Sequence, residues 1–94
     1  MKNITKLEAD FLTAILNSEN GMGCEPEWNW FEQIQFDPKQ GRALASSLKQ
    51  KDILIVDDTD AKNTFAGTYV CIRPMYFISN EDTGKVLLKN LFVD

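Results

Sequence analysis

The sequence predicts an α+β domain: three N-terminal helices, then a β-hairpin and a C-terminal helix. Three observations carry this. Thr5 and Glu8 form a capping-box pattern ahead of apolar residues at helical spacing. A second amphipathic stretch, residues 39–51, has an apolar side and a basic side. Two β-rich runs, "ILIV" and "TYVCIR", are then separated by the polar stretch "DDTDAKNTFAG".

The first helix has Leu7, Phe11, Ala14 and Ile15 at helical spacing, widened by Leu12 and Leu16. "NSENGMG" ends it with residues that favour turns. The second element is "CEPEWNWFEQIQF". As a helix starting near Pro26 it places Trp28, Trp30, Phe31 and Ile34 in one broad arc. As a strand it puts Trp28 and Trp30 on one face, with Phe31 turned away. Pro26 suits a first helical turn, which favours the helix. "FDPKQG" breaks it, because the residue before a proline is pushed out of helical geometry.

The third helix runs from about Lys39 to Lys51. Leu44, Ala45 and Leu48 fall on its inner side, and Lys39, Arg42, Ser46, Lys49 and Gln50 on its outer side. "ILIV" reads as a buried strand, and with "TYVCIR" it makes a hairpin with a long tip. "MYFIS", after Pro74, either continues the sheet edge or turns away. "SNEDTGKVLLKNLF" reads as a last helix capped by Ser79 or Asn80 and burying Val86, Leu87 and Leu91.

At 94 residues the chain is one domain, with a stability of about 5–14 kcal/mol. Hydrophobic residues make up 44% and charged residues 26%, an ordinary globular balance. No apolar run is long enough to span a bilayer, and "MKNITKLEAD" lacks the apolar core of a signal peptide, so a cytoplasmic protein is expected. Cys24 and Cys71 stand in unlike contexts and read as reduced, small core residues. The Trp28 and Trp30 pair reads as core packing, or as an interface where either is exposed.

The net charge of −4 argues against a polyanionic ligand, but the charges are segregated. Residues 25–37 hold Glu25, Glu27, Glu32 and Asp37 without a base. Residues 38–51 hold Lys39, Arg42, Lys49 and Lys51 without an acid. Asp57, Asp58 and Asp60 follow. A basic island lies between two acidic banks.

Catalytic chemistry is not legible. The chain has no histidine, the commonest general base and metal ligand. Two separated cysteines do not assemble a zinc site, and "GMG" lacks the rest of a dinucleotide fingerprint. Asp58 and Asp60 have calcium-loop spacing, but Lys62 takes the next ligand position and no glutamate closes the loop. A non-enzymatic protein without cofactor or metal is expected.

The order helix, helix, helix, strand, long loop, strand resembles a winged helix, the helix-turn-helix variant with a hairpin wing. "GRALASSLKQKDILIVDD" is similar to the phrase by which MarR-like regulators pass from recognition helix to wing, with Asp52 where such chains often carry glycine. "YFISNEDTGKVLLKNL" is similar to their exit from the wing into a C-terminal helix. The whole chain resembles small winged-helix proteins of phages, plasmids and gut bacteria. The resemblance implies double-stranded DNA binding by Lys39, Gln40, Arg42, Ala43, Ser46, Ser47 and Lys49, with Gln50 as a further polar contact. It thereby implies a transcriptional regulator or an accessory factor of a mobile element. One reading helix confers little specificity, so a homodimer is expected. Its candidate surfaces are the N-terminal helix and a C-terminal helix carrying Leu87, Leu88, Leu91 and Phe92. The competing reading is a protein-interaction module, such as a phage-encoded inhibitor or adaptor, whose acidic banks bind a basic partner.

Overall fold

The computed structural model describes residues 2–18, 29–30, 34–57, 68–80, 82–83 and 85–94. Helix α1 spans Lys6–Leu16 and starts as its capping box requires. The Glu8 amide donates to Thr5 Oγ1 at 3.1 Å, and the Thr5 amide donates to Glu8 Oε1 at 2.8 Å. Phe11, Leu12 and Ile15 are buried, each by about 1.5–3 kcal/mol of apolar transfer. Leu7, expected on the inner stripe, is 50% exposed. The inner position one turn before Phe11 and Leu12 is occupied by Glu8.

Helix α2 spans Pro38–Gln50, with Asp37 Oδ2 accepting from the Gln40 amide at 2.9 Å and Pro38 in the first turn. Gly41, Ala45 and Leu48 are its buried face, and Leu44 is half-buried. The helix ends in a Schellman turn. Ile53 N–H donates to Leu48 O and Asp52 N–H to Lys49 O, both at 3.0 Å, while Asp52 takes the left-handed φ of 62°. Leu48 and Ile53, the residues such a turn brings together, are both fully buried.

The strands are β1 (Lys2–Ile4), β2 (Asn29–Trp30), β3 (Leu54–Asp57), β4 (Tyr69–Ile72), β5 (Phe77–Asn80), β6 (Lys85–Leu88) and β7 (Leu91–Val93). They pair as three small sheets. β3 and β4 form the expected antiparallel pair, Leu54 opposite Ile72 and Asp57 opposite Tyr69, and β2 adds to the other side of β4. β3 alternates instead of being buried throughout: Leu54 is 2% exposed and Ile55 37%. β5 and β6 form a second hairpin, and β1 pairs in parallel with β7, so the two ends of the chain meet. α1 packs on α2 and α2 on β3 around Phe11, Leu12, Leu48, Leu54 and Val70.

This architecture corrects the expected fold. Among the described residues there are two α-helices and one short 3-10 turn, Pro74–Tyr76, not three helices plus a C-terminal fourth. Trp30, placed in a second helix, lies with Asn29 in a strand, because β4 offers an edge and those residues take it. Residues 34–37 are not helical, so among the described residues no helix stands just ahead of α2 to complete a helix-turn-helix. The winged-helix assignment falls with it. The expected C-terminal helix is β6 and β7. Val86, Leu87 and Leu88, apolar in a row, suit a strand as well as a helix, and β5 supplies a partner. Asn90, at φ 59°, then stops any helix and turns the chain into β7. Its Nδ2 donates to Met75 O at 2.8 Å, which holds that turn. Trp28, Cys24, Glu25, Glu27, Glu32, Asp58, Asp60 and Lys62 lie outside the described residues.

Candidate nucleic-acid interface

The DNA-contact residues expected from the sequence all fall on α2, and the structure divides them. Lys39, Gln40, Arg42, Ala43, Ser46, Lys49 and Gln50 are exposed. At 100° per residue, Lys39, Arg42, Ser46 and Lys49 fall within a wedge of about 80°, and from Lys39 to Lys49 the helix rises about 15 Å. Neither Lys39 nor Lys49 forms an ion pair with a described residue. The centre of the stripe lies about 110° around the helix from the centre of the buried Gly41, Ala45 and Leu48. The stripe has cations toward both ends and the small Ser46 between them, with Ala43 on its flank.

Ser47 does not belong to this stripe. It is half-buried on the flank facing α1, and its hydroxyl donates to Glu8 Oε2 at 2.8 Å. Lys51, one turn on, donates to Glu8 Oε1 at 2.6 Å and to Asn3 O at 3.3 Å. Lys2 Nζ in turn donates to Lys51 O, a carbonyl beyond the helix end, at 2.6 Å. Glu8, 1% exposed, thus accepts from Thr5, Ser47 and Lys51, and every arm of the cluster is occupied. Burial pushes its carboxyl up; the Lys51 ammonium, the Thr5 amide and the Ser47 hydroxyl pull it down by more, so it titrates below the ordinary glutamate range. The cluster fixes how α2 sits on α1. It was legible in part: Glu8 precedes Phe11, Leu12 and Ile15 by three, four and seven residues, which puts it on the buried face.

Elsewhere, Arg73 Nε is buried without a hydrogen-bond partner among the described residues, and several of the polar groups along α1 are occupied. A groove of about 500 Å³ along α1 is lined by Asp10, Thr13, Asn17, Ser18, Gln35 and the aromatic Phe36. Thr13 donates its hydroxyl to Ala9 O, Ser18 to Ile15 O, and Asp10 pairs with Lys6 at 2.7 Å. Cys71 is buried, and burial pushes its thiol up. Arg73 reaches Asp52 at 3.3 Å. No helix among the described residues is long and apolar enough to cross a membrane. Comparison with family models, with curated proteins and with solved structures finds no match.

Proposed function

We propose that the outer face of α2 docks on double-stranded DNA. In this reading the chain is a non-enzymatic cytoplasmic DNA-binding protein, a transcriptional regulator or accessory factor of a mobile element, acting as a homodimer. The observation that supports this is the exposed stripe of Lys39, Arg42 and Lys49 on a helix whose own sequence, Pro38–Gln50, contains no acidic residue, in a chain whose net charge is −4. A surface that concentrates cations against the sign of the whole molecule suits phosphate neutralisation. Gln40, Ser46 and Gln50 add side chains able to donate to phosphate or base edges, and arginine can hold guanine through two bonds. Ser47 serves the helix's seat on α1 instead.

The test is a titration of duplex DNA at several salt concentrations with the wild type and with Lys39→Glu plus Lys49→Glu. Both positions are exposed, so the fold is unaffected. The slope of log K against log salt should fall by about 0.9 for each phosphate that is no longer neutralised. Unchanged slope and affinity would remove α2 from DNA binding.

A second reading, an adaptor or inhibitor binding a basic protein, is favoured by Ile78, Leu87, Phe92 and Val93, which are 52–56% exposed and have no use on a phosphate surface. Flow-through from heparin at low salt, with capture by a basic protein, would select it.

A further inference from the structure

One face of α1 and its C-cap carries Asp10, Thr13, Ala14 and Asn17, spaced by three, four and seven residues. Together with Gln35 and Phe36 this face lines the groove of about 500 Å³, within the usual size of small-molecule pockets. The polar atoms there accept more than they donate. Asp10 is a carboxylate whose one bond to a described residue is the Lys6 pair through Oδ1. Thr13 uses its single hydroxyl proton on Ala9 O at 2.8 Å, which leaves only lone pairs for a ligand. Asn17 and Gln35 are exposed, and each has an amide oxygen to offer. The half-buried Phe36 adds an aromatic ring, a surface that attracts cations.

The groove has a negative pole at each end. One is the Asp10 carboxylate. The other is the C-terminus of α1, where the helix dipole leaves partial negative charge and the last turn contains no basic residue. From Asp10 to Asn17 the helix rises about 10 Å. Ala14 and Phe36 supply uncharged lining besides. We propose that this groove binds a linear aliphatic polyamine, with an ammonium at each pole and the methylene chain along Ala14 and Phe36. An anion meets its own sign at both ends. A monoamine neutralises one pole and leaves the other bare. The net charge of −4 draws cations toward the chain as a whole. Lys6 is the built-in competitor at Asp10. Its side chain is 76% exposed, and so exposed an ion pair is weak enough for an incoming ammonium to displace it.

The site uses no residue of α2, so its test is separate from that of DNA binding. Spermidine and 1,8-diaminooctane both place their end ammoniums roughly 11 Å apart when extended, from bonds of about 1.5 Å. In calorimetric titrations of the whole chain at low salt, both should saturate a single site. Amide shifts of Thr13, Asn17 and Gln35 during the same titration should locate it. 1,4-Diaminobutane has the charge of the longer diamine but about half its span, and should bind at least five-fold more weakly. Asp10→Asn should weaken spermidine about five-fold, and Lys6→Gln should tighten it by removing the competitor. Asp94→Asn, an exposed acid that does not line the groove, should leave the affinity unchanged. Thermal unfolding without ligand should change little in all three variants, since none of these side chains is buried. Absence of saturable binding overturns the proposal. So does equal affinity for the short and long diamines, or an equal loss from Asp10→Asn and Asp94→Asn, either of which would mean a diffuse attraction of cations to an acidic chain.

Discussion

Residues 6–16 and residues 85–93 both carry leucines and other apolar side chains at helical spacing, yet one folds as a helix and the other as two strands. The difference lies in what surrounds the pattern. α1 begins at a reciprocal cap, and its buried set, Glu8, Phe11, Leu12 and Ile15, fits only a period of 3.6. The C-terminal stretch has Val86, Leu87 and Leu88 in a row, which any period accommodates. Upstream it has Phe77 and Ile78 as a ready cross-strand partner, and Asn90 breaks it by entering the left-handed region. A local pattern decides structure only when it excludes the other period; otherwise the partner decides.

The largest test of this contrast sets one leucine of each half against the other. Leu48 is fully buried on α2, and Leu87 is 54% exposed on the hairpin. Leu48→Ala should cost about 2–5 kcal/mol, the range for emptying a buried leucine site. Leu87→Ala should stay within about 0.5 kcal/mol, as surface changes do. Urea midpoints of the two variants measure both. Equal losses would mean that the hairpin's outer face is packed as tightly as the core.

What could be read in advance follows the same division. The Thr5–Glu8 box, the Ala45 and Leu48 face, and the pairing of β3 with β4 rest on residues within about 20 positions of one another, and all were legible. The pairing of Lys2–Ile4 with Leu91–Val93 joins opposite ends of the chain through three-residue strands that have no periodicity to show. Trp30 adopts a strand because of Val70 and Tyr69, forty residues away. The basic stripe of α2 was legible because it needs only the helix itself. That Ser47 leaves it was not, since the cause is Glu8 on another helix.

The Glu8 cluster is the polar counterpart of that core and should have an intermediate effect. Glu8→Gln keeps the shape but removes the charge that Lys51 and Ser47 donate to, and should cost about 1–3 kcal/mol. Lys51→Met leaves the carboxylate buried without its cation. It should cost more, about 3 kcal/mol, the low end for a broken buried pair because the Lys51 side chain is 34% exposed. The pH dependence has a definite sign. The Glu8 carboxyl is held below its ordinary range in the folded state. Its stabilisation is therefore complete above the unfolded value of about 4.3 and is lost as pH falls through the lower folded value. Denaturant titrations between neutral and acid pH should show Glu8→Gln losing less stability than the wild type over that window. Parallel curves would mean that the carboxyl is not paired.

The smallest effect belongs to the junction between the two kinds of region, where α2 hands the chain to β3. Asp52 sits in the left-handed region at φ 62°, a conformation glycine adopts freely and aspartate tolerates better than most residues. Its side chain, 71% exposed, also reaches Arg73 at 3.3 Å, an ion pair worth about 0.2–1 kcal/mol at such exposure. Asp52→Gly relieves the backbone but removes that ion pair and frees the unfolded chain, so the opposing effects nearly cancel and the net change should lie within about 0.5 kcal/mol. Asp52→Ala removes the ion pair and brings in a side chain with no local hydrogen bond to offset the left-handed backbone, and should cost about 1–2 kcal/mol. The order of the two variants is the test, more than either size. If alanine proves as stable as glycine, the turn after α2 is not the left-handed cap, and the path from helix into sheet must be drawn another way.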